Sequence, residues 1–217
     1  MRGLKHECFI REGLDTVMKL YFSLASPYAQ KVRMAAALVG LSERIELVMT
    51  DAWTATTGLP QDNPLCKVPT LVCDDGSPLF DSPVICEYLD CLGGGSLFPP
   101  AGPARWSALR LQALGDGLCD AAVLRRVEGL RPEQQRSPVW IERQRMAMLR
   151  SCDVLETWVD DLSGAVTIAT LAILAALSYL DLRFAEDDWR AGRPKLAAWF
   201  ELASALPSYQ ATRVPKS

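Results

Sequence analysis

Asn63-Pro-Leu-Cys-Lys-Val-Pro69, Thr70-Leu-Val-Cys73, Asp74-Asp-Gly76, Ser77-Pro-Leu-Phe80 and Asp81-Ser-Pro83 follow one another without interruption, and reading that run decides the fold. Pro69 to Cys73 is short and rich in β-forming residues, which favours a strand. Asp74-Asp-Gly76 has the residue types that tight turns use, so Pro78-Leu-Phe80 returns as the second arm of a β-hairpin. Asp81, Ser82 and Pro83 then open a helix predicted to run to about Leu92, where Gly93-Gly-Gly95 stops it.

Upstream, Lys19-Leu-Tyr-Phe-Ser23 reads as a strand. Ser26 stands before Pro27, a residue suited to the first helical position, so Ser26 is the predicted N-cap. The apolar run Val32, Met34, Ala35, Ala36, Leu38 and Val39 ends at Gly40, and Ile45-Glu-Leu-Val48 follows as a second strand. The opening is thus a βαβ unit with a parallel pair. The polar stretch 51–63, punctuated by Gly58 and Pro60, is expected to be irregular or at most briefly helical. Downstream, glycine and proline concentrate between 93 and 103, and β-type signals then disappear, which marks a boundary. Helices are predicted at 104–129, 138–162, 167–183 and 194–206; in the second, Met148, Cys152, Leu155, Val159 and Leu162 form one apolar stripe. The expected organisation is an extension at 1–17, disordered or non-native or upstream of a true start at Met18, then an α/β domain at 18–95, a linker at 96–103 and an all-helical domain at 104–217.

Composition narrows the chemistry. With 217 residues, 49% hydrophobic and 23% charged, the chain can bury a core, and a formal net charge of −3 offers no broad field for a phosphate backbone. Nucleic acid is therefore not expected as the main partner, and a small molecule is. The seven cysteines form no CxxC pair and no zinc-like spacing, so no metal is expected and a reduced, cytoplasmic compartment follows. A single histidine, His6, lies in the extension, which argues against nucleophiles that need an imidazole base. The apolar stretch 166–180 is about 15 residues and carries Thr167, Thr170 and Ser178, short of the roughly 20 residues of a membrane span. It reads as a buried core helix, and no membrane association is expected.

Four separated motifs, Ser26-Pro-Tyr28, Asn63-Pro-Leu-Cys-Lys-Val-Pro69, Phe80-Asp-Ser82 and Arg193-Pro-Lys-Leu-Ala-Ala-Trp199, occur in the order found in the glutathione transferases. The chain resembles the serine-type cytosolic, bacterial-like members of that family over essentially Met18 to Pro215. The resemblance implies a thioredoxin-like N-terminal domain (βαβ-ββα, mixed four-stranded sheet), an all-α C-terminal domain, a homodimer, and glutathione as co-substrate with no metal. It also implies a detoxifying transferase that activates the glutathione thiolate for attack on a small hydrophobic electrophile or a peroxide. A glutathione-dependent isomerase or lyase, or a non-catalytic interaction module on the same fold, are the alternatives.

Under that resemblance each end of glutathione has a candidate partner. Pro69 is expected cis, turning the Val68 backbone toward the ligand's cysteinyl peptide. Asp81 and Ser82, at a helix start where an anion is favoured, would take the γ-glutamyl ammonium and carboxylate while also capping the helix; aspartate here replaces the family's usual glutamate. Ser26 is the catalytic candidate, donating to the glutathione sulfur, with Ser23 a nearby alternative. Lys67 either attracts the glycyl carboxylate or is an ordinary surface lysine. Leu24 and Tyr28, with the helix around 116–123, are the acceptor-pocket candidates. Cys66 replaces a small residue, usually glycine, either passively or as a thiol able to form a mixed disulfide with glutathione. Thr167 resembles the family's N-cap of the core helix, with Thr170 in place of the usual aspartate.

Overall fold

The computed structural model describes residues 17–53 and 58–214. The extension at 1–16, with His6 and Cys8, lies outside the described residues. Four strands, β1 (Met18–Phe22), β2 (Ile45–Met49), β3 (Thr70–Val72) and β4 (Pro78–Leu79), form one sheet in the order β2-β1-β3-β4. β1 and β2 are parallel, while β1–β3 and β3–β4 are antiparallel. This is the mixed sheet of a thioredoxin-like domain. In β1 every second side chain, Met18, Leu20 and Phe22, is buried, as a half-buried strand requires.

Two helices cover the sheet, α1 (Pro27–Leu38) and α3 (Ser82–Leu92), with a single turn, α2 (Leu59–Asp62), in the stretch expected to be mostly irregular. The close approach of α1 and α3 needs Gly93, where a Cβ would lie 2.4 Å from Val39 Cβ. Asp90, itself buried, accepts from the backbone N–H groups of Ser96, Leu97 and Phe98 at 2.7, 2.7 and 3.0 Å, pinning the chain as it leaves α3.

The helical part comprises α4 (Pro103–Leu130), α5 (Pro138–Thr157), α6 (Ile168–Arg183), α7 (Pro194–Ala203) and α8 (Pro207–Thr212). Twelve residues of α6 are buried, so it has no polar face and is the central core helix. No helix of the described residues is long and apolar enough to cross a membrane. α4 comes so near α6 that a Cβ at Gly115 would sit 2.9 Å from the Ala172 carbonyl carbon. The N-terminal N–H of the α6 cap residue, Thr167, donates to Thr170 Oγ1 at 3.2 Å, so threonine does replace aspartate in closing that helix start.

Two helix ends differ from expectation. The helix predicted to 162 stops at Thr157 and continues as a tighter 3₁₀ turn, Val159–Leu162, which keeps Val159 and Leu162 on the buried stripe with Met148, Cys152 and Leu155. The helix predicted to 206 stops at Ala203, and α8, which was not anticipated, follows at once with Pro207 in its first turn. Of the Arg193 motif, the guanidinium reaches Asp153 at 2.8 Å and the carbonyls of Trp189 and Ala191, tying α7 to α5. That motif is structural.

Candidate active site

The pairing of strands brings the candidate residues to one edge of the sheet. β1 and β3 run antiparallel with Tyr21 opposite Thr70, so the end of β1, which leads to Ser26, lies beside the start of β3, which follows Val68 and Pro69. β4 is antiparallel to β3, so its end, which leads to Asp81 and Ser82, comes to the same edge. Three segments distant in sequence meet there.

Ser26 is the N-cap of α1, in extended conformation with Pro27 at the first helical position. Its Oγ accepts from the Ala29 N–H at 3.2 Å, and its own N–H donates to the Ser23 carbonyl at 3.1 Å. The cap uses a lone pair of the hydroxyl and leaves its proton free to donate. Tyr28, two residues on, is committed elsewhere: its hydroxyl donates to Asp120 on α4 at 2.5 Å, and burial, reinforced by that carboxylate, pushes its pKa far above the ordinary phenol range, so it stays protonated. It faces the helix segment expected for the acceptor pocket, but its hydroxyl proton is spoken for.

One turn further along α1, Lys31 is 1% exposed and its ammonium bonds both oxygens of Asp116 at 2.5 and 2.7 Å. Burial pushes the Asp116 carboxyl up, with the lysine pulling it down and the charge of Asp81 adding to the rise. Sequence reasoning missed this pair; a lysine inside the apolar run of α1, opposite an aspartate in an otherwise apolar stretch of α4, was the available signal. Tyr28–Asp120 and Lys31–Asp116 are two successive rungs that hold α1 against α4.

The Val68–Pro69 bond is cis, as expected. Its loop is braced by Asn63, 1% exposed, whose Nδ2 donates to Thr70 Oγ1 at 2.9 Å and to the Lys67 carbonyl at 3.2 Å, while its Oδ1 accepts from the Leu65 N–H at 2.9 Å. Asn63 was part of a recognised motif, but its bracing role was not anticipated. The Lys67 side chain is exposed and forms no ion pair among the described residues. Cys66 is half-buried at φ +50°, the left-handed region that glycine adopts most easily, which accounts for the glycine expected at this position.

At the third segment, Asp81 is the N-cap of α3 but its side chain makes no capping bond, so the expectation that it caps as well as binds is half met. Its carboxylate is exposed, while Ser82, the first residue of the helix, is 2% exposed. An anion-favouring helix start therefore lies next to a free carboxylate that suits a cation. A ligand carrying ammonium and carboxylate on one carbon matches that combination.

Leu24 is 46% exposed and lines a cleft of about 300 Å³ with Pro27, Gln30, Tyr179, Leu182 and Arg213. Tyr28 is not among the residues that line that cleft. Among the described residues no group of three or more His, Cys, Asp or Glu is arranged to hold a metal.

Residues 25–92 match the glutathione S-transferase N-terminal domain and residues 138–202 the glutathione S-transferase C-terminal domain. The chain is 34% identical over 204 residues to the uncharacterized GST-like protein YibF of Escherichia coli K12, covering 92% of this chain and all of that protein. A glutathione transferase family member from Pseudomonas fluorescens Pf-5, solved with bound glutathione, superposes with a TM-score of 0.88 at 39% identity, over 92% of this chain and all of that one. A second Pseudomonas fluorescens Pf-5 structure, with bound S-(propanoic acid)-glutathione, gives 0.82 at 37% identity, over 92% and 98% of the two chains. With the mixed sheet and the helical half agreeing with these likenesses, the chain belongs to the glutathione S-transferase family.

Proposed function

We propose that the protein is a glutathione transferase in which the Ser26 hydroxyl donates a hydrogen bond to the glutathione sulfur and holds it as thiolate. The observation that carries this reading is the geometry of Ser26: its oxygen caps α1 through the Ala29 N–H while its proton remains available. A free thiol with pKa near 8.5 is mostly protonated at neutral pH, and a donor together with a helix N-terminus lowers it. The thiol proton leaves to solvent. The thiolate then forms a C–S bond with an electrophilic carbon as its leaving group departs, or attacks a peroxide oxygen as the O–O bond breaks. Tyr28, its proton given to Asp120, does not compete for the donor role.

In this reading Asp81 takes the γ-glutamyl ammonium, Ser82 the adjoining carboxylate, the Val68 backbone the cysteinyl peptide, and Lys67 the glycyl carboxylate. Glutathione and a glutathione conjugate bound in the two Pseudomonas structures support it. A reducing, cytoplasmic setting is part of the same reading, and the thiols Cys66, Cys73, Cys86, Cys119 and Cys152, none in a disulfide, support it. The proposed homodimer is supported by exposed apolar side chains on α3 and the start of α4, Val84 at 46% and Trp106 at 69%. Sedimentation as a monomer at micromolar concentration would remove the dimer from the account.

The test is calorimetric titration of glutathione into the wild type and Ser26→Ala, alongside turnover of a generic electrophile. Binding by both, with turnover lost in the variant by about 10²-fold as for other preorganised donors, supports the reading. No binding to the wild type would instead favour a non-catalytic interaction module.

A further inference from the structure

The cleft beside Ser26 has a chemical character of its own. Ala25 and Pro27, the chain neighbours of Ser26 on either side, both line it, so the cleft opens at the loop that carries Ser26. Leu24, Pro27, Leu182 and Val214 supply apolar walls. Gln30 is only 6% exposed, yet its Nε2 has no hydrogen-bond partner among the described residues. A buried donor left unmade costs about 1–3 kcal/mol, so this amide calls for an acceptor atom from outside the chain. Arg213 also lines the cleft and forms no ion pair among the described residues.

The negative charge nearby is already used. Asp181, the carboxylate lining the cleft, accepts from Arg190 at 2.6 and 2.7 Å and from Trp189 Nε1 at 2.7 Å. Tyr209 donates to Ser178 Oγ at 3.1 Å and so is satisfied internally. Behind the cleft wall, Tyr179 has Arg183 and Arg126 as charged neighbours, and the Arg183 Nε is buried without a partner. In a chain of net negative charge, the cleft presents the Arg213 guanidinium beside an unsatisfied amide donor.

We infer that this cleft is the acceptor subsite and that Gln30 and Arg213 select second substrates carrying a carboxylate beside a small apolar body. The inference rests on the transferase reading and goes beyond it by naming the acceptor class. The guanidinium pairs with the carboxylate, the Gln30 amide donates to one of its oxygens, and Leu24 and Leu182 cover the apolar part. A volume of about 300 Å³ is at the small end of ligand sites, which fits a compact acceptor.

Binding separates the inference from the reading it rests on. Glutathione, S-benzylglutathione and S-(carboxybenzyl)glutathione are titrated calorimetrically into the wild type, Arg213→Gln and Gln30→Leu. The expected result is that the wild type binds the carboxylate conjugate about tenfold more tightly than the neutral one, and that this ratio falls toward one in both variants. A wild-type ratio near one, or a ratio that survives both substitutions, overturns the inference while glutathione binding keeps the transferase reading intact. Absence of glutathione binding itself would overturn both.

Discussion

The two helix N-termini at the sheet edge are finished in opposite ways. α1 is closed against α4: Ser26 caps it, Tyr28 and Lys31 tie it to α4, and the group its N-terminus leaves for a sulfur is the Ser26 hydroxyl proton. α3 is open: its N-cap residue Asp81 makes no side-chain cap and holds an exposed carboxylate. In the proposed reading one end supplies a single directed donor and the other holds ionic groups. This division matches the two jobs of a glutathione site, activating a sulfur at one place and holding the charged γ-glutamyl end at another. It also teaches that a capping residue and a functional one are not exclusive, because a serine hydroxyl has both a lone pair and a proton to spend.

The strongest way to break the comparison is to loosen the closed helix. Lys31→Met leaves Asp116 buried without its cation, and breaking such a pair costs about 3–5 kcal/mol. Urea unfolding should register a loss of that size, and Lys31→Met with Asp116→Leu should recover most of it. A loss under about 1 kcal/mol would mean that the α1–α4 clamp carries little.

Next in size are the caps. Ser137 at the start of α5 accepts from the Trp140 N–H at 3.2 Å, the same distance as Ser26 to the Ala29 N–H. Ser26→Ala and Ser137→Ala should each destabilise by about 1 kcal/mol, but only the first should reduce turnover. Equal activity loss in both would reduce Ser26 to a structural cap.

Cys66→Gly tests the loop between the two helix ends. Relief of a left-handed residue is worth about 1–2 kcal/mol and the added freedom of glycine costs about 0.5–1, so a net gain of roughly 0.5–1 kcal/mol in chemical denaturation is expected. A loss would show that the Cys66 side chain contributes contacts of its own. The smallest stability effect belongs to the open helix. Asp81→Ala should stay within about 0.5 kcal/mol of wild type in unfolding, because no cap is lost, while glutathione affinity falls about tenfold. Destabilisation without an affinity change would contradict the division between the two ends.

Much of this layout was legible from local chemistry. Ser26-Pro27 and Thr167 read directly as helix starts because capping is set by residues adjacent in sequence, and Asp74-Asp-Gly76 read as a turn for the same reason. What was not legible depended on distant parts of the chain. Lys31 looked like one polar residue in an apolar run, and only the packing of α4 on α1 makes Asp116 its partner. Gln30 and Arg213 lie 183 residues apart and share a cleft because α8 folds back beside α1. Asp81 read as a cap from its type and position; the backbone geometry at the start of α3 leaves its carboxylate out of the capping bond. α8 itself was hidden because its six residues follow α7 too closely for periodicity to separate them.

The central claim is that the closed end of α1 offers one proton to sulfur. It is tested most directly by titrating the ultraviolet thiolate absorbance of glutathione bound to the wild type and to Ser26→Ala. The account predicts a midpoint at least one pH unit below the free thiol value of about 8.5 in the wild type, returning toward that value in the variant. Identical midpoints in the two proteins would contradict it.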